Sequence, residues 1–186
     1  MDFLRTYFSH PLLKWPLLFG LATGVLCFLY FLALYGLGVP PLGNHKSLDF
    51  GINIIMMTAA VWFYRRRVGN GMLHLWEALT ICYLVNTVGA LVSGWLIYFF
   101  VTQLDPDVFT RYVLNSKNLL MTGKTDIIKT LGENGPLQFQ EMLDGLTNLR
   151  PGELITDELA KKSALAVLPV LIISLLFRKQ DYSILE

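Results

Sequence analysis

WPLLFGLATGVLCFLYFLALYGLGVPPLGNH, from Trp15 to His45, is the longest stretch of the chain without an Asp, Glu, Lys or Arg. It exceeds the ~20 residues that an α-helix needs to cross a hydrocarbon core. The fold is decided here, because a segment of this length and character is solvated by lipid. A second run, Ala78 to Leu104, has the same character. Two shorter runs, Phe50 to Tyr64 and Ser163 to Phe177, span only when their ends lend residues and flanking cations extend to the headgroups. Leu48 and Arg65 serve the first in that way, and Leu159, Ala160, Lys161 and Lys162 serve the second. In a chain of 186 residues, 54% hydrophobic and 16% charged, the composition is too apolar for a soluble domain, whose charged share is about 25%. The expectation is one all-α membrane domain over residues 1–186. It is a four-helix bundle with spans at about 15–37, 48–64, 74–101 and 159–177, and an extracytoplasmic helical segment at about 102–158.

Basic residues near the span ends give the orientation. Arg5 and Lys14 precede the first span, Arg65, Arg66 and Arg67 follow the second, and Arg178 and Lys179 follow the fourth, whereas the first connection carries only Lys46. The positive-inside rule then puts both termini and the arginine triplet in the cytoplasm and the long segment outside. The aromatic residues agree: Trp15, Trp62 and Trp76 fall at the cytoplasmic ends, and Trp95 with Tyr98 at the outer end of span three. The first apolar stretch is longer than a signal-peptide core and lacks a convincing cleavage site, so it reads as a retained anchor. Cys27 and Cys82 lie inside apolar spans, which leaves no disulfide framework for the outer segment.

The outer segment carries its own helix signals. Asp105-Pro106 reads as a cap followed by proline at the first helical position, with Val108, Phe109, Tyr112 and Val113 at helical spacing behind it. Gly123 ends that helix, Thr125 caps a short one through Leu131, and Gly132 to Pro136 is a turn. Leu137, Met142, Leu143, Leu146 and Leu149 mark an amphipathic helix closed by Arg150-Pro151-Gly152. Thr156, ahead of Asp157 and Glu158, reads as the cap of the helix that becomes span four.

Within the spans, Cys82, Asn86, Gly89, Ala90 and Ser93 share one face of span three, a stripe of small or hydrogen-bonding side chains that lets another helix approach. Gly20 and Gly24 in span one form a G-x-x-x-G counterpart, for packing inside the bundle or for a dimer face. Glu77 stands one turn from His74 and close to the Gly69-Asn70-Gly71 turn. Its bland role is a salt bridge to Arg65, Arg66 or Arg67, and its sharp role is a proton relay with His74, which would need a deeper acidic residue. Asn53 and Asn86, the deep amides, can satisfy each other or a backbone group. His10 and His74 fall on one side and His45 on the other, so no three-histidine metal site is expected. A cation held by His45, Asp49, Asp105 and Asp107 competes with a simpler role, in which Ser47 and Asp49 cap span two and the other aspartates cap the first outer helix. Nucleotide, protease and hydrolase motifs are absent from the sequence, and neither metal nor cofactor is expected.

The run from Asp49 through Arg65–Arg67, the Gly69-Asn70-Gly71 turn, Trp76-Glu77-Ala78 and the Asp105-Pro106 helix start resembles the bacterial membrane family catalogued as domain of unknown function 4199. The resemblance covers most of the chain: four spans, a tight basic connection and a long outer segment before span four. It implies a bacterial inner-membrane protein and brings no catalytic residues with it. The functional expectation is a non-catalytic accessory or scaffold protein, assisting envelope biogenesis, whose partners are the lipid bilayer and a membrane protein or a second copy, with no nucleic acid. A small transporter or channel component using Glu77 and His74 is the alternative, and a membrane enzyme acting on a lipid-linked substrate the third.

Overall fold

The computed structural model describes residues 11–179; the amino-terminal Arg5 and His10, and the residues after Lys179, lie outside them. Among the described residues there are seven α-helices and no strand. They are α1 (Pro11–Gly36), α2 (Phe50–Arg67), α3 (Leu75–Phe99), α4 (Pro106–Thr122), α5 (Lys124–Leu131), α6 (Gly135–Thr147) and α7 (Glu153–Phe177). Four stretches are long and apolar enough to cross a membrane: Leu12–Gly36, Lys46–Arg67, Leu75–Leu104 and Glu153–Phe177.

The distribution of side chains is that of a multi-pass membrane protein. Leu168 and Leu176 on α7 are 70% and 73% exposed, while Lys162, Asp49, Asn53 and Asn86 are buried. Water would reverse that preference, whereas lipid favours apolar exteriors and drives polar groups into the bundle. The long α3 is the central post: α1 packs along one side, α7 along another, and α2 closes the bundle. Between α1 and α3 the approach is close. A Cβ on Gly20 would meet Val88 Cβ at 2.7 Å, and one on Gly24 would meet Val92 Cβ at 2.5 Å, so these positions admit only glycine at this separation.

Two apolar clusters fill the bundle. One gathers Met57, Val61, Tyr64, Ile81, Val85 and Ile173 near the α2–α3 turn. The other gathers Phe31, Leu42, Ile97, Phe100, Val101 and Leu154 at the opposite end, where Phe100 meets Phe31 edge to face at 5.3 Å. A π-helical turn over Phe100–Leu104 extends α3, and its wider winding directs both Phe100 and Val101 inward.

Local signals hold in part. Asp105 caps α4 by accepting from the Asp107 N–H at 3.1 Å, with Pro106 at the helix start. Thr125 is not a cap: α5 begins at Lys124 with Gly123 as its N-cap. Nor is Thr156. The Pro151-Gly152 turn starts α7 at Glu153, and the Thr156 hydroxyl donates back to the Glu153 carbonyl at 2.9 Å. Asp49 makes no capping bond to α2, because a 3-10 turn over Asn44–Asp49 leads into the helix and the carboxylate is engaged with lysines instead.

Candidate functional site

The two ends of the bundle hold different polar chemistry. At the α2–α3 end, Asn70 and Gly71 take positive φ (50° and 90°) to make the tight turn. Arg65 crosses it, donating from Nε to the Gly71 carbonyl at 3.0 Å and from Nη1 to the Phe177 carbonyl at 3.4 Å. Arg66 lies 4.8 Å from the Trp62 ring centroid, a cation–π contact. Leu73 and Lys179 exchange backbone bonds of 3.0 Å, which brings the end of α7 to this turn. Glu77 belongs to its own helix: its Oε2 accepts from the His74 N–H at 2.8 Å in a capping box. Among the described residues no ion pair joins Glu77 to Arg65, Arg66 or Arg67.

At the other end, four charged groups from two elements converge inside the bundle. Lys162 Nζ stands 2.8 Å from Glu158 Oε1 and 3.1 Å from Asp49 Oδ2. Lys46 Nζ pairs with Glu158 Oε2 and lies 3.6 Å from Asp49 Oδ2. The Lys162 and Asp49 side chains are 4% and 3% exposed, so each depends on the others rather than on water for its solvation. Two ammonium and two carboxylate groups leave the cluster with no net charge. Ser93, from the small-residue face of α3, reaches into it: its hydroxyl donates to Glu158 Oε1 at 3.1 Å and accepts from Lys162 Nζ at 3.4 Å.

Helix geometry places these groups. Glu158 and Lys162 are separated by four residues on α7 and so share a face; Lys46 and Asp49 are separated by three in the 3-10 turn, where such side chains eclipse. The stripe on α3 continues beneath. Asn86 Nδ2 donates to the Lys162 carbonyl at 3.3 Å. Its Oδ1, and both amide atoms of the fully buried Asn53, have no hydrogen-bond partner among the described residues. The two amides therefore do not satisfy each other. A Cβ on Gly89 would stand 3.4 Å from Asn53 Oδ1 and 3.0 Å from Thr23 Cγ2, so glycine there opens the space that the amide occupies. Cys27 donates its thiol to the Asp49 backbone carbonyl at 3.8 Å. The rest of the stripe, Cys82 and Ala90, is buried against neighbouring helices.

A partly open cavity of about 310 Å³ lies beside the network. Lys46, Asp49, Glu158 and Lys162 form its charged floor, and Phe50, Ile97 and Leu165 are among its apolar walls. Lys161 and Asp157 stand at its rim, paired at 2.7 Å and both substantially exposed. On the same side of the molecule, Asp105 accepts from the Tyr35 hydroxyl at 2.9 Å and lies 3.8 Å from Arg111. Asp49 and Asp105 are thus engaged by separate partners and share no cation.

Sequence reasoning missed the network as a unit, although Lys46, Asp49, Glu158 and Lys162 were all in view as span-end residues. The available signal was two oppositely charged pairs at helical spacing, placed by the four-span topology at one end. In comparison with known proteins, the family model described as Protein of unknown function (DUF4199) matches residues 18–179. No curated protein and no solved structure matches.

Proposed function

We propose a non-catalytic accessory role for this chain, which belongs to the family described as Protein of unknown function (DUF4199): it binds a polar component of the membrane in the cavity between the Asn44–Asp49 turn and α7. The carrying observation is the internally complete charge network. Its four ionisable groups are paired with one another, which suits a rigid, preorganised floor for binding better than a free base or nucleophile. The role is that of a bacterial inner-membrane protein with both termini in the cytoplasm, the 102–158 segment and the cavity outside, and a membrane-protein partner or a second copy alongside. The basic residues at the α2–α3 end support that orientation. Reporter fusions after Asn70 should signal cytoplasm and fusions after Gly132 the outside; a cytoplasmic signal from Gly132 overturns it. Mass spectrometry of the protein purified from native membrane tests the binding role. A stoichiometric lipid or protein, lost when the exposed cavity-lining Ala164 is replaced by Phe in a variant of unchanged melting temperature, is the expected result; proton-coupled flux in liposomes, abolished by Glu158→Gln in a folded protein, contradicts it.

A small transporter is the second reading, and one observation favours it. Asn53 and Asn86 place unpaired amide atoms below the charge network, in the position where a polar path through a bundle begins.

A further inference from the structure

We propose that the cavity between the Asn44–Asp49 turn and α7 is a site for the phosphoethanolamine headgroup of a membrane lipid, a zwitterion with one phosphate diester and one primary ammonium group. The inference rests on the binding role above and names its ligand.

Position is the first reason. The cavity lies where two spans begin: Lys46 and Asp49 open the second, and Glu158 and Lys162 lie within the first turns of the fourth. That level, at the ends of the hydrocarbon-spanning stretches, belongs to headgroups. Its apolar walls lead outward: Leu165, which lines the cavity, is 53% exposed on the lipid-facing side of α7, so an acyl chain continues from the site without crossing polar surface.

Charge is the second. The lining holds three lysines, Lys46, Lys161 and Lys162, against three carboxylates, Asp49, Asp157 and Glu158. A balanced site gains nothing from an anionic headgroup, whose net charge would be left without a partner, whereas a zwitterion adds one charge of each sign. The inner four groups are already committed to one another and to Ser93. The rim pair, Lys161 and Asp157, is different: it is 63% and 46% exposed and is held by one contact of 2.7 Å. A phosphoethanolamine group exchanges with that pair. Its phosphate accepts from Lys161 and its ammonium donates to Asp157, so ion pairs are conserved as the ligand enters.

Donor chemistry is the third reason. A primary ammonium carries N–H groups that the Asp157 carboxylate can accept, and a quaternary choline carries none, so the carboxylate discriminates between two headgroups of equal charge. A cavity of about 310 Å³ is at the small end of ligand sites, matching a headgroup rather than a whole lipid.

The test uses the full-length protein, exchanged into an equimolar mixture of phosphatidylethanolamine, phosphatidylglycerol and phosphatidylcholine with identical acyl chains and read by native mass spectrometry. One phosphatidylethanolamine per chain, retained on the order of tenfold over either competitor, is expected, the size of one charged hydrogen bond. Asp157→Ala, which leaves no acceptor, should erase the preference over phosphatidylcholine, and Lys161→Gln should weaken retention of both; both side chains are exposed, and unchanged melting temperatures show that neither result is misfolding. Free phosphoethanolamine should fail to displace the lipid at millimolar concentration; displacement at parity overturns the lipid as the source. Preferential retention of phosphatidylglycerol, or Asp157→Ala with its preference intact, overturns the ligand class and leaves the binding role standing. No phospholipid or other component retained by the wild type, from the mixture or from native membrane, overturns both.

Discussion

The basic turn between α2 and α3 and the lysine–carboxylate network at the far end of the bundle hold similar residues and use them in opposite ways. At the turn, Arg66 and Arg67 are exposed, Arg65 hydrogen-bonds to carbonyls, and Glu77 caps the helix that carries it. Arg65, Arg66 and Glu77 find partners in their own neighbourhood, and Arg67 is open to the surroundings. In the network, Lys162 and Asp49 come from helices far apart in the chain and have almost no access to solvent. A charge at a span end is thus cheap where it can reach the headgroups and costly where the bundle closes over it, and the second case binds elements together.

The comparison is broken most directly at Lys162. Lys162→Met leaves Asp49 and Glu158 with only Lys46 between them, and truncating one partner of a buried pair costs about 3–5 kcal/mol. Thermal unfolding in detergent should show a large loss or a failure to accumulate, and Lys162→Met with Glu158→Leu should recover much of it. A single variant that melts like the wild type would show that the network is hydrated and marginal.

A smaller effect is expected where no charge is involved. Gly24→Leu drives a side chain into Val92 across the α1–α3 contact, and overpacking of this kind costs about 1–3 kcal/mol. Melting temperature should fall with the oligomeric state unchanged; a stable protein that loses an associated copy would make this face an interface between molecules.

The smallest change belongs to the basic turn. Glu77→Ala removes one capping acceptor, worth about 0.5–1 kcal/mol, and Glu77→Gln keeps an acceptor and should be milder. A loss at Glu77 as large as that at Lys162 would erase the contrast between the two ends.

The fold was legible because hydropathy and helix length act locally: the runs from Trp15 and from Ala78 announce spans, and Asp105-Pro106 announces a helix start. The α7 start was misplaced at Thr156 because a capping residue and a helical Thr bonded to the preceding turn look alike in sequence. The site was not legible for a related reason. Asp49 looks like a cap and Lys162 like a snorkelling cation, and both readings are complete without a partner. Only the packing of α2, α3 and α7 about Ser93 turns them into one network. His74 and Glu77 drew notice by lying close in sequence, and the structure gives them the local task of capping α3.

The most direct measurement is a pair of double-mutant cycles by thermal unfolding, one on Lys162 and Glu158 and one on Arg65 and Glu77. A coupling of about 1 kcal/mol or more at the first pair and under about 0.5 kcal/mol at the second is the expected result; equal couplings at the two pairs would contradict a bundle held at one end by a buried charge network.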